Sequence, residues 1–207
     1  NIIYNYMYKK EKKEFLNFIK SFRFTNDWFS NNIPVWISIL KKKDKNEKLK
    51  ILEIGSYEGM SAIFFLKYFN NAEIDCVETF KGSDEHAKKN FELVKKNFEY
   101  NLLDFKNRYN IFETTSDNFF EIKSDKEETY DIIYVDGSHE SYQVSKDTEN
   151  SFNKLKSKGF IIFDDFLRKY YDNISKNPFS AIINFIIKND KKVKVIYFGY
   201  QLILQKY

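Results

Sequence analysis

Three aspartates and one histidine hold the chemistry this chain can offer. Asp136 closes the apolar run Tyr130–Val135 and opens Asp136-Gly137-Ser138-His139-Glu140. Asp164 and Asp165 close a second apolar run, residues 159–163. If the two runs are neighbouring parallel strands, their ends bring three carboxylates to one place. Like charges so gathered are costly unless they are protonated or bridged by a cation. A hard divalent ion such as Mg²⁺ takes oxygen ligands and keeps positions for water and substrate oxygens. It lowers the pKa of a bound hydroxyl and fixes its position. Adjacent residues point to opposite faces of a regular strand, so Asp164 and Asp165 both ligate only if the chain leaves the strand there. His139, three residues past Asp136, is the side chain suited to take a proton near neutral pH. The same residues also have a structural reading, as a turn after one strand and a cap after the other.

A second pattern precedes this one. Residues 49–54 are an apolar run, followed by Gly55-Ser56-Tyr57-Glu58-Gly59 and then the apolar residues 62–66. This reads as a buried strand, a glycine turn and the start of a helix. The two glycines let the backbone turn tightly and approach a ligand closely. The helix start offers free N–H groups. With Glu53 closing the strand, this is a nucleotide-type cofactor site at the end of a strand. A dinucleotide site needs a glycine where this chain has Tyr57, because pyrophosphate requires bare backbone. A carboxylate before the first glycine suits a ligand with a positive end instead. Glu78 ends the run 73–77, where a carboxylate can accept from both hydroxyls of a ribose. Ser116 and Asp117 follow the run 109–113. They fit contacts to the edge of an adenine, while Asp117 equally fits as a helix cap.

The remaining elements must position these residues. Helical spacing marks residues 11–22. Thr25, Asn26 or Asp27 can cap a short helix, and Pro34 suits the first turn of the next one, to about Leu40. Trp28 and Trp36 fit packing onto a sheet better than a lid over a pocket. Ser83 or Asp84 caps a helix to about Phe98, with His86 a surface residue in its first turn. Helices follow over 141–156, ending in a Lys158-Gly159 turn, and over 180–188. Strands over 192–198 and 201–205, joined by Gly199-Tyr200, must be antiparallel. The expected fold is α/β: a Rossmann-like, seven-stranded, mainly parallel sheet with an antiparallel last strand and helices on both faces. Residues 1–48 are expected to form an N-terminal helical cap or lid segment, and residues 49–207 the catalytic domain.

Composition sets the bounds. A chain of 207 residues, 43% apolar and 19% aromatic, can bury a sizeable core. A net charge of +4 over 34 basic and 30 acidic side chains does not call for nucleic acid. The single cysteine, Cys76, forms no internal disulfide, which points to a reducing, cytoplasmic compartment. No apolar run is long enough to span a membrane. The chain starts at Asn1 without a methionine, so it can be part of a longer protein.

The pieces I-L-E-I-G-S-Y-E-G-x-S, V-E-T-F-x-G-S-D-E-H, Y-D-I-I-Y-V-D-G-S-H and G-F-I-I-F-D-D-F, in this order, resemble the class I methyltransferases of family 24. They are similar to the metal-dependent sugar O-methyltransferases of antibiotic pathways, such as the macrocin type. The resemblance is strong over residues 50–166. It implies S-adenosylmethionine as cofactor, with Glu53, Gly55, Ser56, Gly59 and Ser61 about its methionine part. Glu78 and Thr79 would lie at the ribose, Ser116 and Asp117 at the adenine, and Asp136 beside the cofactor. It further implies Mg²⁺ on Asp136, Asp164 and Asp165, with His139 as base and a small hydroxylated acceptor. Catechol-type relatives carry Lys where this chain has His139, and Asn where it has Asp165, so the sugar-type branch fits better. Two rivals keep the fold: an RNA methyltransferase, disfavoured because the lysines are spread along the chain, and a non-catalytic domain of a longer protein. The acceptor's identity and the oligomeric state are not written in the sequence.

Overall fold

A computed structural model describes residues 2–82, 90–125 and 127–207. The expected cap at Ser83 or Asp84, and His86, lie outside the described residues. The chain divides into two compact units. The first holds residues up to 48, 57–73 and 80–109, and the second holds 49–56, 74–79 and 110–207.

The second unit is built on a seven-stranded sheet. Its strands are β1 (Lys50–Ile54), β2 (Glu73–Val77), β3 (Tyr109–Phe112), β4 (Tyr130–Val135), β5 (Leu155–Phe163), β6 (Val193–Phe198) and β7 (Leu202–Lys206). Their order is β3-β2-β1-β4-β5-β7-β6. β4 is parallel to both β1 and β5, and every one of its six residues is buried, as a central strand covered on both faces requires. β7 inserts between β5 and β6 and runs antiparallel to each. This is the expected mainly parallel, Rossmann-like sheet with an antiparallel last strand.

Helices α6 (Ser116–Ile122), α7 (Ser141–Lys154) and α8 (Pro178–Lys188) belong to the same unit. Phe152 of α7 packs edge-on against Phe185 of α8, their rings 5.1 Å apart. Two expectations are corrected here. β5 begins at Leu155, four residues earlier than the sequence suggested, and α7 ends at Lys154. Leu155 is fully buried and pairs with Tyr130, so burial draws it into the sheet. Lys158, at φ +62°, and Gly159 then lie inside the strand, where the pairing with β4 shifts register. The cap of α6 is Thr115, whose hydroxyl accepts from the Asn118 N–H; Asp117 lies in the first turn, two residues past the cap.

The first unit is helical: α1 (Ile2–Met7), α2 (Lys9–Phe18), α3 (Ile33–Leu40), α4 (Met60–Tyr68) and α5 (Phe91–Leu102). The expected helix over 11–22 is broken, with a 3₁₀ turn over Ile19–Ser21. Asp27 accepts from the N–H groups of Phe29 and Ser30 and so opens the short turn Ser30–Asn32. Pro34 sits in the first turn of α3 as expected. The two tryptophans part ways. Trp36 is fully buried among Phe29, Phe64 and Phe65, whereas Trp28 is 53% exposed. Arg108 donates to the carbonyls of Leu66, Phe69 and Asn70 and so closes the C-terminal end of α4.

The ladder continues past the strand ends at the point that matters. Asp136 N–H donates to Ile54 O at 2.8 Å, and Asp164 N–H donates to Val135 O at 3.0 Å. Gly55, Asp136 and Asp164 therefore follow one another at the same level on three adjacent strands. Gly55 has φ +86°, and a Cβ there would lie 2.0 Å from Asp136 O. No side-chain movement relieves a clash with backbone. Gly55→Ala should therefore lower stability by at least about 2 kcal/mol in urea unfolding; a loss under about 0.5 kcal/mol would show that β1 and β4 do not approach this closely.

Candidate functional site

The end of β4 and the end of β5 bring together four ionisable groups. Oxygens of Asp136 and Asp165 and a ring nitrogen of His139 all lie within 4.8 Å of one another. His139 Nε2 is 3.2 Å from Asp165 Oδ2. The sequence suggested Asp136, Asp164 and Asp165 as ligands with His139 as base. The structure places His139 with Asp136 and Asp165, and places Asp164 against Tyr134 and Gln201. Gln201 donates to Asp164 Oδ1 at 3.0 Å.

Local backbone explains the arrangement. Asp165 takes φ +51°, so the chain leaves the strand at this residue and the side chain escapes strict alternation. A left-handed non-glycine residue costs of order 1–3 kcal/mol and persists where its surroundings hold it. Here the surroundings are Tyr170 and Tyr200, whose hydroxyls both donate to the Asp165 carboxylate. The Tyr170 ring stacks on His139, centroids 4.0 Å apart and planes within 7°. Arg168 lies over the same Tyr170 ring at 4.8 Å. Its nitrogen is 4.0 Å from Asp165 Oδ1.

Tyr134 links the other two acids. Its hydroxyl oxygen is 3.0 Å from Asp136 Oδ2 and 2.8 Å from Asp164 Oδ2. A phenol has a single proton to give, so two ionised carboxylates cannot both be satisfied by it. Burial, then the charges of Asp164 and Asp165, push the Asp136 carboxyl well above its usual range. Burial and then the Asp165 charge also push Asp164 up. Asp165 moves the other way: burial works to raise it, but bonds from His139, Tyr170 and Tyr200 outweigh that and hold it down. One acid stays charged, and its two neighbours are driven toward their protonated forms. Such a set fits a divalent cation, which would take the place of those protons.

Glu53 and the glycine turn lie at the end of β1. Glu53 is fully buried, and Cys76 Sγ sits 3.9 Å from Glu53 Oε2. Burial and the Glu53 charge push the Cys76 thiol well up, so it stays protonated and inert. Gly55 N–H donates to Val77 O, which seats the turn against β2. Ser56 is buried, and its hydroxyl, with no oxygen or nitrogen partner among the described residues, lies against the Cys76 thiol. A buried hydroxyl within the glycine turn whose neighbour is a weakly hydrogen-bonding thiol fits a polar ligand there. Glu78 follows β2, its N–H on Phe112 O, and Thr79 Oγ1 is 3.4 Å from its carboxylate. Gly59, at φ +82°, leads into α4, where Ser61 lies in the first turn. Ser116 and Asp117 are bound by Gln143 of α7, and Asp117 also pairs with Lys146.

Some of these residues carried no flag in the sequence. Tyr134 was findable, because two residues before Asp136 on a strand means the same face. Tyr170, Tyr200 and Gln201 reach the site from loops far along the chain, which no local spacing reveals.

Comparison with known proteins decides the family. The family described as "Methyltransferase domain" matches residues 52–166, more than half of the chain. The chain belongs to this methyltransferase family. The uncharacterised protein R132 of Acanthamoeba polyphaga mimivirus is 29% identical over 127 residues, which cover 59% of this chain. The match spans 53% of that viral protein's own length. Among solved structures, the O-methyltransferase from Bacillus cereus in complex with S-adenosylhomocysteine is similar in fold. Its TM-score is 0.64 at 16% identity, covering 100% of this chain and 98% of that one. MycE from the mycinamycin biosynthetic pathway, solved with Mg and S-adenosylhomocysteine, has a TM-score of 0.62 at 15% identity. That match covers 90% of this chain and 51% of MycE.

The methyltransferase's raised acids make a stability prediction. The folded chain holds the Asp136 proton more tightly than the unfolded chain does. The resulting stability is therefore full below the unfolded carboxylate pKa and falls as pH climbs from there through the raised folded value. In the presence of chelator, Asp136→Asn should melt a few degrees above the parent chain at pH 7, and the gap should close toward pH 4. A lower melting temperature for the variant at both pH values would contradict the assignment of an acid held protonated by desolvation and its neighbours' charges.

Proposed function

We propose that this methyltransferase is an S-adenosylmethionine-dependent, Mg²⁺-assisted O-methyltransferase of a small hydroxylated acceptor such as a sugar or glycan. The observation that supports it most is the gathering of Asp136, His139 and Asp165 within 4.8 Å, beside acids that burial pushes toward protonation. The Mg and S-adenosylhomocysteine in the MycE structure accord with the same reading. A reducing, cytoplasmic setting accords with the single buried thiol of Cys76.

When bound, S-adenosylmethionine supplies an electrophilic sulfonium methyl, and a divalent ion lowers the pKa of an acceptor hydroxyl. Asp136 and Asp165 would hold the ion, and Asp164, now bonded to Tyr134 and Gln201, would be the third carboxylate ligand. Glu53 offers a buried negative charge to the positive amino group of the cofactor. Glu78 accepts from ribose hydroxyls, with Thr79 beside it. Gly55 and Ser56, followed in sequence by Gly59 and Ser61, present the backbone and hydroxyls for the methionine part. Ser116 and Asp117 serve the adenine edge. His139 Nε2 lies 3.2 Å from Asp165, which orients the imidazole that would take the substrate proton. The stacked Tyr170 ring sets the plane of the imidazole.

Calorimetry tests the two halves separately. The chain should bind S-adenosylhomocysteine, and Glu78→Ala should weaken that binding by about tenfold, the worth of one or two hydrogen bonds. Mg²⁺ added to the loaded chain should raise its melting temperature, and Asp136→Ala should remove the rise. Methyl transfer to a verified acceptor that survives both Asp136→Ala and EDTA would overturn the metal-assisted reading.

A further inference from the structure

Within the first unit, Glu58 is buried to 1% exposure. It lies between Tyr57 and Gly59, in the middle of the glycine turn. Its carboxylate accepts from the Thr25 N–H at 2.7 Å on one oxygen and from Asn97 Nδ2 at 2.7 Å on the other. Its backbone carbonyl accepts from Asn101 Nδ2 at 3.0 Å. The same Asn101 amide accepts from Arg23 N–H at 2.7 Å and donates to Arg23 O at 2.8 Å, as a neighbouring strand would. Segment 23–25, residue 58 and α5 are thus sewn into one network.

Tyr57 shows what the network holds. It takes φ +47°, a conformation that glycine adopts freely and a tyrosine does not. Its hydroxyl is 3.0 Å from Thr25 Oγ1. Its ring packs under Trp28 with centroids 4.9 Å apart. Every contact named here comes from residues 23–28 or from α5. A backbone outlier sustained by this many partners, with left-handed Gly55 and Gly59 two residues to either side, marks a turn held in shape for a purpose.

We propose that Glu58 is a positioning residue for cofactor binding, and that segment 23–28 is a clamp that keeps the backbone of residues 57–59 ready for ligand. This rests on the reading of the glycine turn as the S-adenosylmethionine site. The clamp gives the N-terminal segment a role in cofactor affinity that does not require it to move. Glu58 itself needs no contact with the ligand; it acts through the geometry of its neighbours.

The test compares four forms of the full chain: the parent, Glu58→Ala, Glu58→Gln, and Leu40→Ala as a control that empties buried volume in α3 of the same unit. Each is measured for S-adenosylhomocysteine affinity by calorimetry, for melting temperature, and for amide exchange at residues 57–61 without ligand. Glu58→Ala should weaken affinity by about tenfold and speed exchange at 57–61. Leu40→Ala, at an equal or larger loss of melting temperature, should bind within about twofold of the parent. Glu58→Gln should recover most of the affinity, because the Asn97 amide can flip to accept from the new carboxamide. Parent-like binding by Glu58→Ala, or equal weakening by Leu40→Ala, would overturn the proposal. If Glu58→Ala does not fold, Asn101→Ala replaces it, with the same signs expected and the same outcomes decisive. A parent chain that does not bind S-adenosylhomocysteine would overturn the cofactor reading and this proposal with it. Exchange at 57–61, read without ligand, then separates that result from a failure of the clamp alone.

Discussion

Negative charge concentrated at the ends of three adjacent strands is the constraint on which the rest of the second unit depends. Glu53, Asp136, Asp164 and Asp165 follow or end β1, β4 and β5, and the parallel register places these ends side by side. Nothing in folding favours such a cluster, since desolvated like charges raise the free energy of the folded state. The chain relieves it partially and unevenly. Asp165 receives three donors and remains charged, while Asp136 and Asp164 share one phenolic hydroxyl and are driven toward protonation. A cluster left in that condition is poised to accept positive charge. Under the proposed reading, a divalent ion and the positive end of a sulfonium cofactor would both draw on this charge.

Backbone conformation delivers the charge. Gly55 lets β1 turn against Asp136 O with no side chain between them, and Asp165 leaves β5 through a left-handed residue. Both are local departures from regular structure at the same level of the sheet. The contacts that hold Asp165 come from Tyr170 and Tyr200, on segments with little regular structure of their own. Leu167 N–H donates to Tyr200 O, which keeps the two segments together. Loops carried on a rigid sheet are where side chains from distant parts of a chain are commonly brought together.

Much of this was legible in the residues. The apolar runs and their closing acids located β1, β2, β4 and the end of β5 to within a residue or two, because buried parallel strands leave an uninterrupted apolar signature. The antiparallel closing hairpin followed from the short Gly199-Tyr200 connection, which in the structure is three residues, 199–201. Boundaries that depend on long-range pairing were less legible. Leu155 joins β5 because Tyr130 is there to pair with it, and the Lys158-Gly159 turn becomes a bulge for the same reason. Asp117 and Thr115 are both competent caps, and only the backbone angles assign the role to Thr115. The tyrosines of the acid cluster and the buried Glu58 network connect residues tens of positions apart, beyond what spacing along one chain can show. Trp28 and Trp36, close in sequence, separate into an exposed and a buried role because α3 begins between them.

The most direct test of the account is a crystal soaked with Mn²⁺ and S-adenosylhomocysteine, with the metal located by its anomalous signal. The account predicts one ion bound to oxygens of Asp136 and Asp165 at about 2.1–2.2 Å, the range of hard six-coordinate cations. Strong anomalous density elsewhere, or none while both carboxylates keep their Tyr134, Tyr170 and Tyr200 hydrogen bonds, would contradict it.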